Sequence, residues 1–111
     1  MTAMHRNVVD YFALMGGDDK KETIRVFADG AEVLDDGHLY RGRAEILEWL
    51  DGAASQYTTT STELSAESTS RSASVVVRLE GNFPGGRADL KHDFSFDLDQ
   101  RVLRLAITVS G

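Results

Sequence analysis

Residues 26–50, VFADGAEVLDDGHLYRGRAEILEWL, set an acidic pair, Asp35 and Asp36, at the end of a strand between two amphipathic helices. By alternation Asp35 shares the face of Val33, so its carboxylate points where the apolar residues point. A carboxylate held in an apolar pocket can take up and return a proton. The same position flanks a tight turn and stands opposite His38, so a cross-strand pair that only steadies the hairpin is the competing reading. His92 interrupts an apolar stripe of Leu90, Phe94 and Phe96. Buried there, an imidazole must either find a hydrogen-bond partner or line a cavity.

The elements that position these groups follow from spacing. Met4, Val8, Tyr11, Phe12 and Met15 recur at helical intervals, which predicts an amphipathic helix over 3–15 ended by Gly16 and Gly17. Asp19 and Glu22 have capping-box form and open a shorter helix that carries Ile24 and Phe27 inward and stops at Gly30. Residues 31–36 alternate as a strand, Asp36-Gly37 is a hairpin turn, and His38–Tyr40 return. Ile46, Trp49, Leu50 and Ala53 make 43–54 a third helix.

From Tyr57 the period changes to two. The Ser- and Thr-rich stretch 55–74 reads as two strand arms with a turn near Ser68–Ser72, because β-branched threonine suits a half-exposed sheet and Leu64 and Ala66 continue the alternation. Charge then registers the next two strands. A two-residue turn at Gly85-Gly86 opposes Glu80 to Lys91 and Arg78 to Asp93, whereas a four-residue loop through Phe83–Gly86 sets Glu80 against Asp89. The first register is preferred. It gathers Val75, Val77, Leu79 and Phe83 on one face with Phe96, Phe94, His92 and Ala88, and places His92 between Leu79 and Ile107. Asp99-Gln100 turns into a last strand, Val102–Val109, whose Leu103, Leu105 and Ile107 join that face. Helices from the first half are the available cover for it, which makes the fold α+β.

Composition narrows the function. A chain of 111 residues forms one domain, 1–111. Its net charge of −6, with the basic residues scattered, disfavours nucleic acid and anionic membranes as partners. Without cysteine there is no disulfide, thiolate catalysis or cysteine metal site. No apolar run reaches a membrane span and residues 1–7 lack a signal-peptide core, so a cytoplasmic protein is expected. Histidines 5, 38 and 92 have no metal-ligand spacing, no phosphate-binding glycine loop is present, and no serine lies in a nucleophile elbow. No cofactor or metal is expected.

The order helix–helix–hairpin–helix followed by long antiparallel strands resembles the nuclear transport factor 2-like superfamily, in particular its SnoaL-like polyketide cyclase branch and ketosteroid isomerase. The pieces that carry the resemblance are GGDD (16–19), VFADGAEVLDD (26–36), YRGRAEILEWL (40–50) and HDFSFDLDQRVLRLAI (92–107). It implies a cystatin-like cone: a strongly curved mixed or antiparallel sheet with three helices on its concave face around a pocket. Asp35 matches the carboxylate of ketosteroid isomerase-like members, Tyr11 falls near their phenol donor, and His92 near a second donor that is acidic there. Asp35 as base, with Tyr11 and His92 as donors, would give cofactor-free isomerase or cyclase chemistry on an apolar carbonyl compound. Phe12, Trp49, Tyr57, Phe94 and Phe96 are candidate walls, with Leu79 and Ile107 flanking His92. The alternative is a non-catalytic binding or dimerising module of the same fold. The superfamily often pairs through the outer sheet face, here Val76, Arg78, Glu80, Lys91, Asp93, Ser95, Val102, Arg104, Ala106 and Thr108, so a homodimer is expected.

Overall fold

The computed structural model describes residues 4–110. Helix α1, Arg6–Met15, is followed by a 3₁₀ segment, Lys20–Val26, strand β1, Phe27–Asp35, and strand β2, His38–Arg41. Helix α2, Gly42–Asp51, and a single 3₁₀ turn, Ala53–Ser55, lead into β3, Thr59–Ser68, β4, Ser72–Gly81, β5, Arg87–Phe96, and β6, Val102–Val109. The six strands form one curved, unclosed sheet in the order β2-β1-β6-β5-β4-β3. All neighbours are antiparallel except β1 and β6, which run parallel. The helical segments cover one face, giving the α+β architecture that the element order implies. Among the described residues no helix is long and apolar enough to cross a membrane.

The core lies between helices and sheet. Val8 and Tyr11 of α1, Ile46, Trp49 and Leu50 of α2, and Phe27 and Val33 of β1 close on Val75, Phe94 and Leu105. Gly16 caps α1 through its N–H to the Phe12 carbonyl, and the Asp19 carboxylate accepts from the Lys21 amide at 3.1 Å, not from that of Glu22.

Four sequence expectations are corrected. The second helix does not run to Gly30: it is a short 3₁₀ segment, and Phe27, buried as expected, already opens β1. The strand bends through a register shift between Phe27 and Glu32, which is where Gly30 sits, so the helical spacing of Ile24 and Phe27 spans two elements. Second, β4 and β5 pair four residues away from the expected register. Arg78 faces Asp89 and Glu80 faces Arg87, with Gly81 bonded to Gly86 and a loop of residues 82–85 between them. Arg78 grips Asp89 with two parallel bonds of 2.9 and 3.1 Å, and this hydrogen bonding holds the Asp89 carboxyl below its ordinary pKa. Because the shift is even, every side chain keeps its face, and His92 stays inside, between Val75 and Ile107 rather than Leu79 and Ile107. Third, a register shift between Ser95 and Phe96 turns Val102 into the core and leaves Leu103 43% exposed, the reverse of the simple alternation. Fourth, a bulge between Glu63 and Ser65 leaves Leu64 unpaired and exposed.

The first helix is described only from Arg6, with His5 as its N-cap; residue 3 lies outside the described residues.

Candidate functional site

A cavity of about 1060 Å³ opens between the helices and the inner sheet face. Strand alternation aims Asp35, Leu79, Leu90, His92 and Ile107 at it, while α1 supplies Tyr11, Phe12 and Met15, and α2 supplies Trp49. Tyr57, Thr59, Thr60 and Ser61 also line it, as do Phe83 and Pro84 of the β4–β5 loop.

Asp35 lies opposite His38, as the hairpin requires, but its partner is elsewhere. The Trp49 indole N–H donates to its Oδ2 at 3.0 Å. That bond ties the end of β1 to α2. Trp49 is itself only 2% exposed, and its far side meets the Tyr40 ring at 6.2 Å. Asp36, the neighbouring acid, sits exposed in the turn with φ 53° and touches only the rim.

Tyr11 is 2% exposed, and its phenol is pushed far above the ordinary value, first by burial and then by the negative charge of Asp35. It therefore remains a protonated donor at any working pH. His92, 5% exposed, is wedged edge-on to Phe12 (5.1 Å between centroids) and to Tyr11 (6.0 Å), and stacks on Phe94. Desolvation pulls its pKa from 6.5 down to about 4, outweighing the opposing influence of the Leu90 and Val75 backbone and of Asp93. Its Nδ1 is buried without a hydrogen-bond partner among the described residues. A native interior rarely leaves such an atom unmatched; the His92 side chain lines the cavity, but this nitrogen is itself shielded from it.

Tyr11, Asp35 and His92 thus line one space, together with Phe12, Trp49, Tyr57, Leu79 and Ile107. Phe94 and Phe96 do not. They stack on each other and run toward the other end of the sheet, where His5 covers Phe96 with ring centroids 4.0 Å apart. Sequence reading did not single out Lys20, Arg87 or the hydroxyls of Thr59–Ser61 as site residues. Each follows a glycine turn, Lys20 after Gly16-Gly17 and Arg87 after Gly85-Gly86, and local spacing marks neither as a lining residue. Among the described residues no three His, Asp or Glu side chains gather as a metal-binding set.

No protein-family model matches the chain, and no curated protein matches its sequence. Solved structures do. A candidate polyketide cyclase from Sinorhizobium meliloti superposes with a TM-score of 0.86 at 28% identity over 95% of each chain. A protein with a ketosteroid isomerase-like fold from Catenulispora acidiphila, in complex with trimethylamine, gives 0.83 at 14% identity, over 97% of this chain and 88% of that one. The epoxide hydrolase/cyclase-like enzyme SalBIII, associated with pyran ring formation in the polyether salinomycin, gives 0.79 at 15%, over 94% and 88%.

Proposed function

We propose that the chain, whose fold is that of SnoaL-like and nuclear transport factor 2-like proteins, binds an apolar, carbonyl-bearing small molecule in its cavity and moves a proton on it without a cofactor. The observation that supports this reading is that Tyr11, Asp35 and His92, two hydrogen-bond donors and a carboxylate, line one cavity.

In this reading the Asp35 carboxylate, held at Oδ2 by Trp49, removes a proton from the carbon next to the carbonyl. The C–H electron pair moves into the new carbon–carbon double bond, and the carbonyl oxygen takes the charge. Tyr11 donates its O–H to that oxygen, and neutral His92 donates a ring N–H. Both are suited to donate without surrendering a proton, since burial raises the phenol and keeps the imidazole uncharged. Asp35 then returns the proton to a conjugated carbon, which makes the reaction an isomerisation; if the enolate carbon instead attacks a second carbonyl of the same molecule and Asp35 protonates the alkoxide that forms, the reaction is a cyclisation. The structural neighbours include proteins named for cyclase and ketosteroid isomerase-like character, which supports the reaction class but no particular substrate.

A second reading has its own observation. Trp49 already satisfies one Asp35 oxygen, so the acid also works as a brace between β1 and α2 in a domain that binds a ligand without changing it, or that serves as a dimerising scaffold. One experiment separates the readings. A neutral bicyclic ketone such as 2-tetralone is incubated with the protein in D₂O, and α-hydrogen exchange is followed by NMR alongside the thermal midpoint. Exchange that is lost in Asp35→Asn supports proton transfer. A raised midpoint with no exchange supports the binding module, and neither effect removes the ketone reading.

A further inference from the structure

Asp35 is a cavity-lining acid without a counter-charge. Among the described residues no lysine, arginine or histidine comes within ion-pair distance of it, and its one hydrogen-bond partner is the Trp49 indole at Oδ2. The other oxygen, Oδ1, accepts no bond from those residues. It is also not sealed in the interior, since His92 Nδ1 is the only buried side-chain nitrogen or oxygen among them that lacks a partner. Two aromatic side chains lie close to this carboxylate. Trp49 is bonded to it, and Tyr11 feels its field, because burial and then the Asp35 charge raise the phenol. Phe12 meets Tyr11 edge-on at 5.0 Å between ring centroids, so carboxylate, indole, phenol and phenyl follow one another along the cavity wall. The cations of the lining are engaged elsewhere. Arg87 stands opposite Glu80 on the outer face of β5, and the Lys20 Nζ donates to the Ala54 carbonyl at 2.8 Å.

We infer that the cavity accepts a hydrophobic organic ammonium ion, its charged nitrogen at Asp35 Oδ1 beside Tyr11 and Trp49 and its apolar body against Phe12 and Leu90. The inference rests on the cavity being a ligand site, and not on proton transfer there. A neutral apolar ligand that displaces water from Asp35 leaves a desolvated carboxylate with a single hydrogen bond. An ammonium ion replaces that water with an opposite charge, and an aromatic face next to the nitrogen adds cation–π attraction. The net charge of −6 favours the approach of such an ion. Once bound, it covers the oxygen that would take the α-proton of a ketone, so amine and ketone are alternative occupants of one site.

The test is isothermal titration of the full chain with 2-aminotetralin, an ammonium ion at neutral pH, and with 2-tetralol, which carries a hydroxyl on the same ring system. At low salt the amine is expected to bind about tenfold more tightly, the effect of one charge-assisted contact. That preference should shrink as salt is raised and should fall toward unity in Asp35→Asn. The alcohol is the internal control, because its affinity stays constant wherever the cavity remains intact, and the wild-type comparison at two salt concentrations needs no variant. An amine that binds no better than the alcohol, a preference that ignores salt, or one that survives in Asp35→Asn overturns the inference while leaving the cavity to neutral ligands. Failure of both probes and of 2-tetralone alike overturns the inference together with the site.

Discussion

Replacing His92 with leucine should make the protein more stable, and more so as pH falls. In the native chain the ring is 5% exposed, and its Nδ1 has no hydrogen-bond partner among the described residues, so its burial carries a desolvation cost of about 1–3 kcal/mol that the nearby Leu90 and Val75 backbone offsets only in part. Leucine is of similar bulk and would sit among Phe12, Tyr11 and Phe94 with no polar atom to strand, although reshaping the contact costs up to about 1.5 kcal/mol. A net gain of roughly 1 kcal/mol at pH 7.5 is expected. The pH dependence is the sharper part. The folded pKa of about 4 lies below the unfolded value of 6.5, so between those values the unfolded chain binds a proton that the folded chain refuses. Wild-type stability therefore falls as pH drops from 6.5 toward 4, by up to about 3 kcal/mol from this residue alone, and levels off below pH 4. His92→Leu lacks this loss. Urea denaturation of both proteins at several pH values, with matching m-values, reads the difference between them and cancels the carboxylates they share. A variant destabilised by more than about 1 kcal/mol at pH 7.5, or a difference that does not change between pH 6.5 and 4, would refute the orphaned, neutral imidazole.

Asp35→Asn keeps an oxygen for the Trp49 indole, so its urea midpoint should stay within about 1 kcal/mol of wild type while α-hydrogen exchange disappears; a large stability loss would show the acid to be mainly a brace. Gly81→Ala should cost about 2 kcal/mol or more, because a Cβ there would run into the Thr58 carbonyl and the Thr59 backbone, and thermal melts check this against the harmless Gly30→Ala, where a Cβ meets open space. The outer sheet face, with half-buried Val76, Asp93 and Ala106 among its polar residues, should join two copies, and light scattering at micromolar concentration should give twice the 12.2 kDa mass; a 12.2 kDa species alone refutes the pairing. Trp49, the single tryptophan, touches both Asp35 and the cavity, so 2-tetralone should change its emission, and unaltered fluorescence at saturating ketone would place binding elsewhere.

Periodicity made most of the architecture legible. The stripes of α1 and α2, the Asp36-Gly37 hairpin and the long strands of the second half all lie where spacing puts them, because each buries one face and the period of burial is written in the residue types. Register was harder to read. Gly85 and Gly86 both take positive φ, as a two-residue turn would need, yet they end a longer loop instead of forming its centre. The observed register opposes Arg78 to Asp89 and Glu80 to Arg87, a charge match equal to that of the two-residue turn, so charge does not distinguish the two registers. The bulges that expose Leu103 and bury Val102 leave no mark in local composition, since they answer to the curvature of the whole sheet. In the candidate site, Asp35 and His92 were visible because each breaks an apolar pattern. The bond from Trp49 to Asp35 was not, since it joins a helix to a strand end across a distance that no local spacing encodes. Lys20 was hidden for the same reason: it looks like an ordinary surface cation until the fold sets its Nζ on the Ala54 carbonyl.

The parallel pairing of β1 with β6 has a consequence for how the chain is made. β6 is the last strand in sequence, yet it sits in the middle of the sheet, wedged between β1, which bears Asp35, and β5, which bears His92. Roughly seventy residues separate Asp35 from its neighbour Ile107, a loop that must close before either half of the cavity has its wall. On the ribosome the helices and the β3–β4–β5 meander can form as they emerge, but the two halves cannot be riveted together until the final strand has left the exit tunnel. Until then β1 and β5 each offer a bare edge to whatever strand comes by. A chaperone that holds the nascent chain through that interval would be guarding those edges, and a ribosome that stalls before residue 102 would release a product with its catalytic candidates on separate pieces of sheet.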